Sequence, residues 1–349
     1  MSNLKDNQEK LLLTDFVPRS MLELEEHKIE MPKFPVIDAH NHLGKRGDRW
    51  AVPDVDKLVA DMDSCGLKVI VNVDGCWGDL LKENLDRYKG KYPERFAVFA
   101  GVNWWDVDSK FGVRAAEQLE KCVRMGAQGL KISKALGLRV KDTSGNLLRA
   151  DDERLQPLWE KASELNIPVL YHIADPVAFF KPLDRFNERW EELHNHPGWH
   201  FYGPEFPSFM ELMEQQRNLV TNNPNTKFIS AHVAGYAENL RWVGELMNNC
   251  PNLYVDISER IAELGRQPYT AREFFIAHQN RILFGVDVYQ DPGWYRVYYR
   301  SLETKDEYFG YGLQEIPRQG RWQIYGLYLP DDVLEKVYHQ NAEGLLRET

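Results

Sequence analysis

Eight short apolar runs, alternating with amphipathic segments, pattern most of this 349-residue chain. They fall at 34–39, 67–73, 96–102, 128–132, 167–172, 227–231, 252–257 and 281–286. Each has the length of a strand. Between them lie stretches such as VDKLVADMDSCG, RAAEQLEKCVRMG, LQPLWEKASELN and NLRWVGELMNN, whose apolar residues recur at helical spacing. Gly66, Gly126 and Asn166 stand just past such stretches, where helices close on a C-terminal cap. Strand and helix repeated eight times predict an α/β fold of the (β/α)8 barrel type, whose size this chain matches with modest insertions. A doubly wound open sheet is the competing architecture, and it would spread the strand ends along a line.

The ends of four runs carry chemistry. FPVIDAHNHL ends the first, and because strand side chains alternate, His40 and His42 project the same way. Two imidazoles side by side make a half-site for a transition metal. Downstream, His172 follows IPVLY, His232 follows KFISA and Asp287 follows RILFGV. Each stands where a strand gives way to a loop, on strands 5, 6 and 8. In a barrel all these ends face one mouth, so residues distant in sequence converge on one site.

Composition narrows the partners. A net charge of −10 argues against nucleic acid or an anionic membrane surface, and no apolar run approaches a membrane span. Leu11–Leu13 is too short for a signal peptide. Cys65, Cys76, Cys122 and Cys250 are scattered without a close pair, which fits free thiols in the cytoplasm. A small-molecule substrate is therefore expected. Residues 1–33 form an N-terminal extension, with a helix-like stretch SMLELEEHKIEM, ahead of a barrel at 34–349. Two insertions, 173–205 and 288–330, leave the catalytic mouth as lids or pocket walls. Trp residues in loops, Trp104 among them, are expected to wall a substrate pocket. The aromatic 288–330 segment exceeds the needs of one pocket and suggests a homodimer or higher homo-oligomer.

DAHNHL, AHVAG, LFGVD and the closing HQNAEGLL resemble the amidohydrolase superfamily, and within it the amidohydrolase-related group of aminocarboxymuconate-semialdehyde and γ-resorcylate decarboxylases. The resemblance spans roughly residues 34–349 and implies one divalent metal, zinc first and manganese second, held by His40, His42, His172 and Asp287. His232 would stand beside the metal-bound water or substrate oxygen. A metal lowers the pKa of bound water towards about 7. Asp287 would relay its proton, and His232 would polarise the group under attack. The resemblance does not select the reaction. A metal-dependent hydrolase acting on a small polar or anionic compound is the first expectation, and a non-oxidative decarboxylase the alternative.

Further residues have defined expectations. Asp38 shares the strand face of His40 and His42, where it would either orient an imidazole or serve as a buried structural acid. Lys131, on strand 4, would contact a substrate carboxylate, form a structural salt bridge, or, as a carbon dioxide adduct, bridge two metals. Lys134, Arg139 and Arg260 offer cations at the mouth, Arg260 foremost. His194-Asn195-His196 repeats the His-x-His spelling without a leading strand and reads as lid surface. His278 and His339 lie in helical segments and read as structural.

Overall fold

The computed structural model of the protein describes Leu12, Phe16, residues 18–289 and residues 291–347. Eight parallel strands follow the apolar runs: β1 Val36–Asn41, β2 Leu67–Asn72, β3 Phe96–Val98 and β4 Leu130–Ile132. They continue as β5 Val169–Tyr171, β6 Phe228–Ser230, β7 Leu253–Asp256 and β8 Ile282–Leu283. Neighbours in sequence are neighbours in space, β1 to β3 and β4 to β8. Two seams join the groups. At one, Lys131 N donates to Ala100 O at 2.7 Å; at the other, Asp287 N donates to His40 O at 2.8 Å and His42 N to Asp287 O at 2.9 Å. The sheet is a closed cylinder, which removes every edge strand.

Alternation along the strands builds two packed layers. Ile37, Val71, Ala97, Leu170, Ile229 and Leu283 pack together inside the cylinder. Val36, Ile70, Val98, Val169, Phe228 and Ile282 pack with the helices outside. Those helices include α1 Val55–Ser64, α2 Phe111–Met125, α3 Gln156–Glu164, α4 Phe209–Asn222, α5 Leu240–Asn249, α6 Pro268–His278 and α7 Pro292–Glu303. Gly126 closes α2 at φ 117°, as the cap expected there requires.

The expected helix at Ser20–Met31 is not formed. The described residues 18–33 run without regular structure over the outside of the barrel. Arg300 Nη1 donates to Glu26 at 3.1 Å, Arg296 pairs with Glu30 and Lys33 with Asp331. A lone helix of this length is marginal in water, and here its charged residues find partners across the chain instead. The Leu11–Leu13 run, apart from Leu12, lies outside the described residues.

The aromatic 288–330 segment also differs from expectation. Its first half is α7, whose Tyr295, Tyr298 and Tyr299 are fully buried around Phe284. Much of its aromatic surplus is therefore core, and that surplus is no longer a reason to expect a partner subunit. Residues 173–205 form short helical turns at Val177–Phe180, Trp190–Asn195 and Pro197–Trp199. Because Phe284 is completely buried among four tyrosines, Tyr338 included, Phe284→Ala should destabilise the fold by about 3–5 kcal/mol. Urea unfolding followed by circular dichroism checks this.

Candidate metal centre

The site depends on backbone turns that strand alternation does not supply. After β6, His232, Val233 and Ala234 take left-handed φ of 61°, 55° and 57°. Such backbone costs an L-residue about 1–2 kcal/mol, and a β-branched Val is an uncommon occupant. The turn is held by Gly235 N, which donates to Ala231 O at 3.1 Å, and by Gln216 Nε2, which donates to Ala234 O at 3.0 Å. Asp287 is also left-handed, at 72°. Gly285 lets β8 pass close to β1: a Cβ there would stand 2.5 Å from Ser258 Oγ and 3.2 Å from His40 Cβ.

These turns bring three imidazoles around one carboxylate. Asp287 Oδ1 lies 3.2 Å from His40 Nε2, 3.6 Å from His42 Nε2 and 3.8 Å from His232 Nε2. The opposite nitrogen of each ring is taken. His40 Nδ1 donates to Asp256 Oδ2 at 3.0 Å, His42 Nδ1 to Asp74 Oδ1 at 2.5 Å and His232 Nδ1 to Ser258 O at 2.8 Å. Carbonyls and ionised carboxylates only accept, so each Nδ1 carries the proton and each Nε2 presents a lone pair inward. This donor set fits a divalent transition metal.

Among the described residues, the ligand atoms of His40, His232 and Asp287 lie within 4.8 Å of one another. His232, expected beside an ion, is thus in position to bind one. His42 and His172, both expected as ligands, are outside this group, although His42 Nε2 is 3.6 Å from Asp287. The His172 ring is edge-on to His232 at 4.4 Å between centroids, while its Nε2 is 3.1 Å from Ala174 O and 3.3 Å from Asp175. Lys131 Nζ donates to His40 Nε2 at 2.8 Å, a bond that an ion on His40 would replace.

Electrostatics favour metal-ready forms. Burial holds the His40 and His232 rings below the usual imidazole range, and burial brings His172 down to about 4. Burial lowers Lys131 to about 8 against the pull of Asp287, Asp256 and Asp74. Burial also opposes charge on Asp287, but His40, His42 and Lys131 more than offset it, and its carboxyl falls below the usual range. Burial thus favours the uncharged His40 and His232 rings, while the positive groups nearby favour an ionised Asp287.

Other expectations change. Asp38 is a structural acid: its oxygens accept from Asn41 Nδ2 and Tyr295 Oη at 2.8 Å and from the His40 and Val286 amides. The β1–β2 register shifts between Asp38 and Asn41, which breaks the alternation that gave it a common face with the histidines. Trp104 stacks on Phe111 at 5.4 Å and does not line the cavity at the mouth. His196, expected as lid surface, does line it, stacked on Trp199 at 4.1 Å. Asp256 and Asp74, which hold the His40 and His42 rings, are residues that the strand-end histidines alone do not point to. Each ends an apolar run, NLYVDI and IVNVDG, the same signal that marked His172 and Asp287.

The cavity at this mouth measures about 480 Å³ and includes His42, His172, His232, Asp287, Lys134 and Arg260 in its lining. With the geometry in place, comparison with known proteins decides the family: the amidohydrolase profile matches residues 37–347. The chain belongs to the amidohydrolase family. Solved structures of similar fold include 2,6-dihydroxybenzoate decarboxylase from Rhizobium, at 16% identity and TM-score 0.58 over 90% of this chain and 99% of that one. Dihydroxybenzoic acid decarboxylase from Polaromonas sp. JS666, with bound manganese and 2-nitroresorcinol, is 17% identical with TM-score 0.57 over 90% and 97%. 5-Carboxyvanillate decarboxylase from Sphingomonas paucimobilis is 14% identical with TM-score 0.56 over 91% and 100%. No curated protein matches significantly in sequence. No helix among the described residues is long and apolar enough to cross a membrane.

In this member of the amidohydrolase family, Asp256 supports both the His40 ring and the His232 turn. Its other oxygen accepts from His232 N and Ser258 N, both at 3.0 Å. Asp256→Asn keeps the size but lets one terminal atom face His40 as a donor. Zinc affinity should fall about 10–100-fold while circular dichroism stays native. A competitive chelator titration measures the change.

Proposed function

We propose that this chain is a metal-dependent non-oxidative decarboxylase acting on a small planar carboxylic acid. The observation that carries the reading is Arg260. It is buried beside the cluster, lines the cavity, and its recorded hydrogen bond goes to its neighbour's carbonyl, Glu259 O, at 2.7 Å. Among the described residues it has no carboxylate partner within ion-pair distance, unlike Lys134 on Asp175 or Arg189 on Glu192 and Glu263. A guanidinium in that state suits a substrate carboxylate. Phe179 and Trp199, near-parallel at 6.4 Å, form an apolar wall suited to a flat molecule. The structures of similar fold include three decarboxylases, which supports this reaction over hydrolysis.

The residues divide the work. His40, His232 and Asp287 would hold one divalent ion, with His42 close beside them at 3.6 Å from Asp287; imidazoles and a carboxylate suit zinc, and manganese is the ion of one similar structure. When bound, the ion supplies Lewis acidity and a template for substrate oxygens. Arg260 orients the acid. Loss of carbon dioxide leaves an electron pair on carbon, which must take a proton. Asp287 is placed to carry it: an entering anion raises the proton affinity of this otherwise ionised carboxylate, which would take a proton from solvent water and pass it to the carbon. His172, held by Asp175, packs against His232 and completes the wall.

Zinc- or manganese-loaded protein should release carbon dioxide from a member of a panel of small aromatic and unsaturated acids, with no oxygen from labelled water in the other product. Water oxygen incorporated without carbon dioxide would replace this reading with the hydrolase. Arg260→Gln should raise KM at least tenfold with a smaller effect on kcat, and Asp287→Asn should abolish turnover.

A further inference from the structure

A second cavity, of about 230 Å³, adjoins the first: Glu259, Arg318 and Gln319 line both. Its remaining wall comes from Trp294 on α7 and from Tyr311–Pro317 of the 304–330 segment. Glu259 sits between the two spaces on left-handed backbone, at φ 54°. Gln319 Nε2 donates to its Oε2 at 2.8 Å. Its Oε1 is buried without a hydrogen bond, 3.5 Å from Arg318 Nη2. Trp294, also buried, has an Nε1–H with no acceptor among the described residues. Burial, with Asp287 adding to it, holds the Glu259 carboxyl up to about 7, the sign of an acid short of partners.

A buried donor with no acceptor is costly, and Glu259 Oε1, held only by a 3.5 Å ion pair with Arg318, is incompletely satisfied. A ligand hydroxyl suits either group, because its O–H can donate to Glu259 and its oxygen can accept from the Trp294 indole. We propose that this side cavity is a second substrate subsite, which receives a hydroxyl-bearing arm on the part of the acid remote from the metal cluster. Glu259 and Trp294 set the specificity there. The inference rests on the decarboxylase reading only in taking a carboxylic acid as the ligand.

Calorimetry on the full-length, zinc-loaded protein tests it with matched pairs, 3- and 4-(hydroxymethyl)benzoate against 3- and 4-methylbenzoate. At least one hydroxymethyl acid should bind roughly tenfold tighter than its methyl counterpart. Glu259→Leu and Trp294→Phe should each bring that ratio to about one, whatever either does to methylbenzoate affinity itself. If Glu259 merely anchors the 311–319 loop, both members of a pair weaken together and the ratio survives, which overturns the proposal. So does the absence of any hydroxyl preference in the unaltered protein. Should Glu259→Leu fail to fold, Trp294→Phe alone decides. A preserved preference with no carbon dioxide from any acid would sink the decarboxylase reading and leave the subsite standing.

Discussion

Asp256 accepts three hydrogen bonds in a place no water reaches. One comes from the His40 ring, one from the His232 amide and one from the Ser258 amide. An ionised carboxylate is expensive to bury, and this one is retained because those donors and nearby His40 and Lys131 outweigh the burial, which keeps its pKa below the usual range. It ties strands β1, β6 and β7 at the height of the mouth. The left-handed turn at His232–Ala234 becomes tolerable because its first amide is anchored there, and that turn aims His232 at Asp287. Strain at the site is thus opposed locally, by this bond together with those from Gly235 and Gln216, rather than spread through the barrel.

Structure and chemistry share residues elsewhere as well. The seam between β1 and β8 is bonded through the backbone of Asp287 and His40, whose side chains also form the cluster. Gly285 permits that closeness, since any Cβ would push on both Ser258 and His40. The insertions divide the remaining tasks. The 173–205 segment supplies Arg189, Phe179, His196 and Trp199 to one wall of the cavity, while 304–330 supplies Arg318 and Gln319 to another.

The barrel and the side chains at its mouth were legible because both rest on local signals: period-two runs, helical periodicity, and polar residues where apolar runs stop. The same signal marks Asp256 and Asp74, but an acid at a strand end reads as ordinary until the ring it supports is known. For Asp38 alternation left two roles open, an orienting acid or a structural one, and the register shift beside it cannot be read from alternation. His196 was dismissed for lack of a leading strand, yet lid residues reach a site through loops that carry no periodicity. The segment 18–33 looked helical by its charges, and only the distant Arg296, Arg300 and Asp331 explain why those charges are spent otherwise. The aromatics of α7 resembled a surface until their partner, Phe284, was in place.

Because the seam joins the first strand to the last, the metal-ready cluster cannot exist on a partly synthesised chain. A ribosome must release nearly the whole polypeptide before His40 and Asp287 meet. The cluster therefore forms only once the cylinder has closed, so that any ion it would take enters a finished barrel.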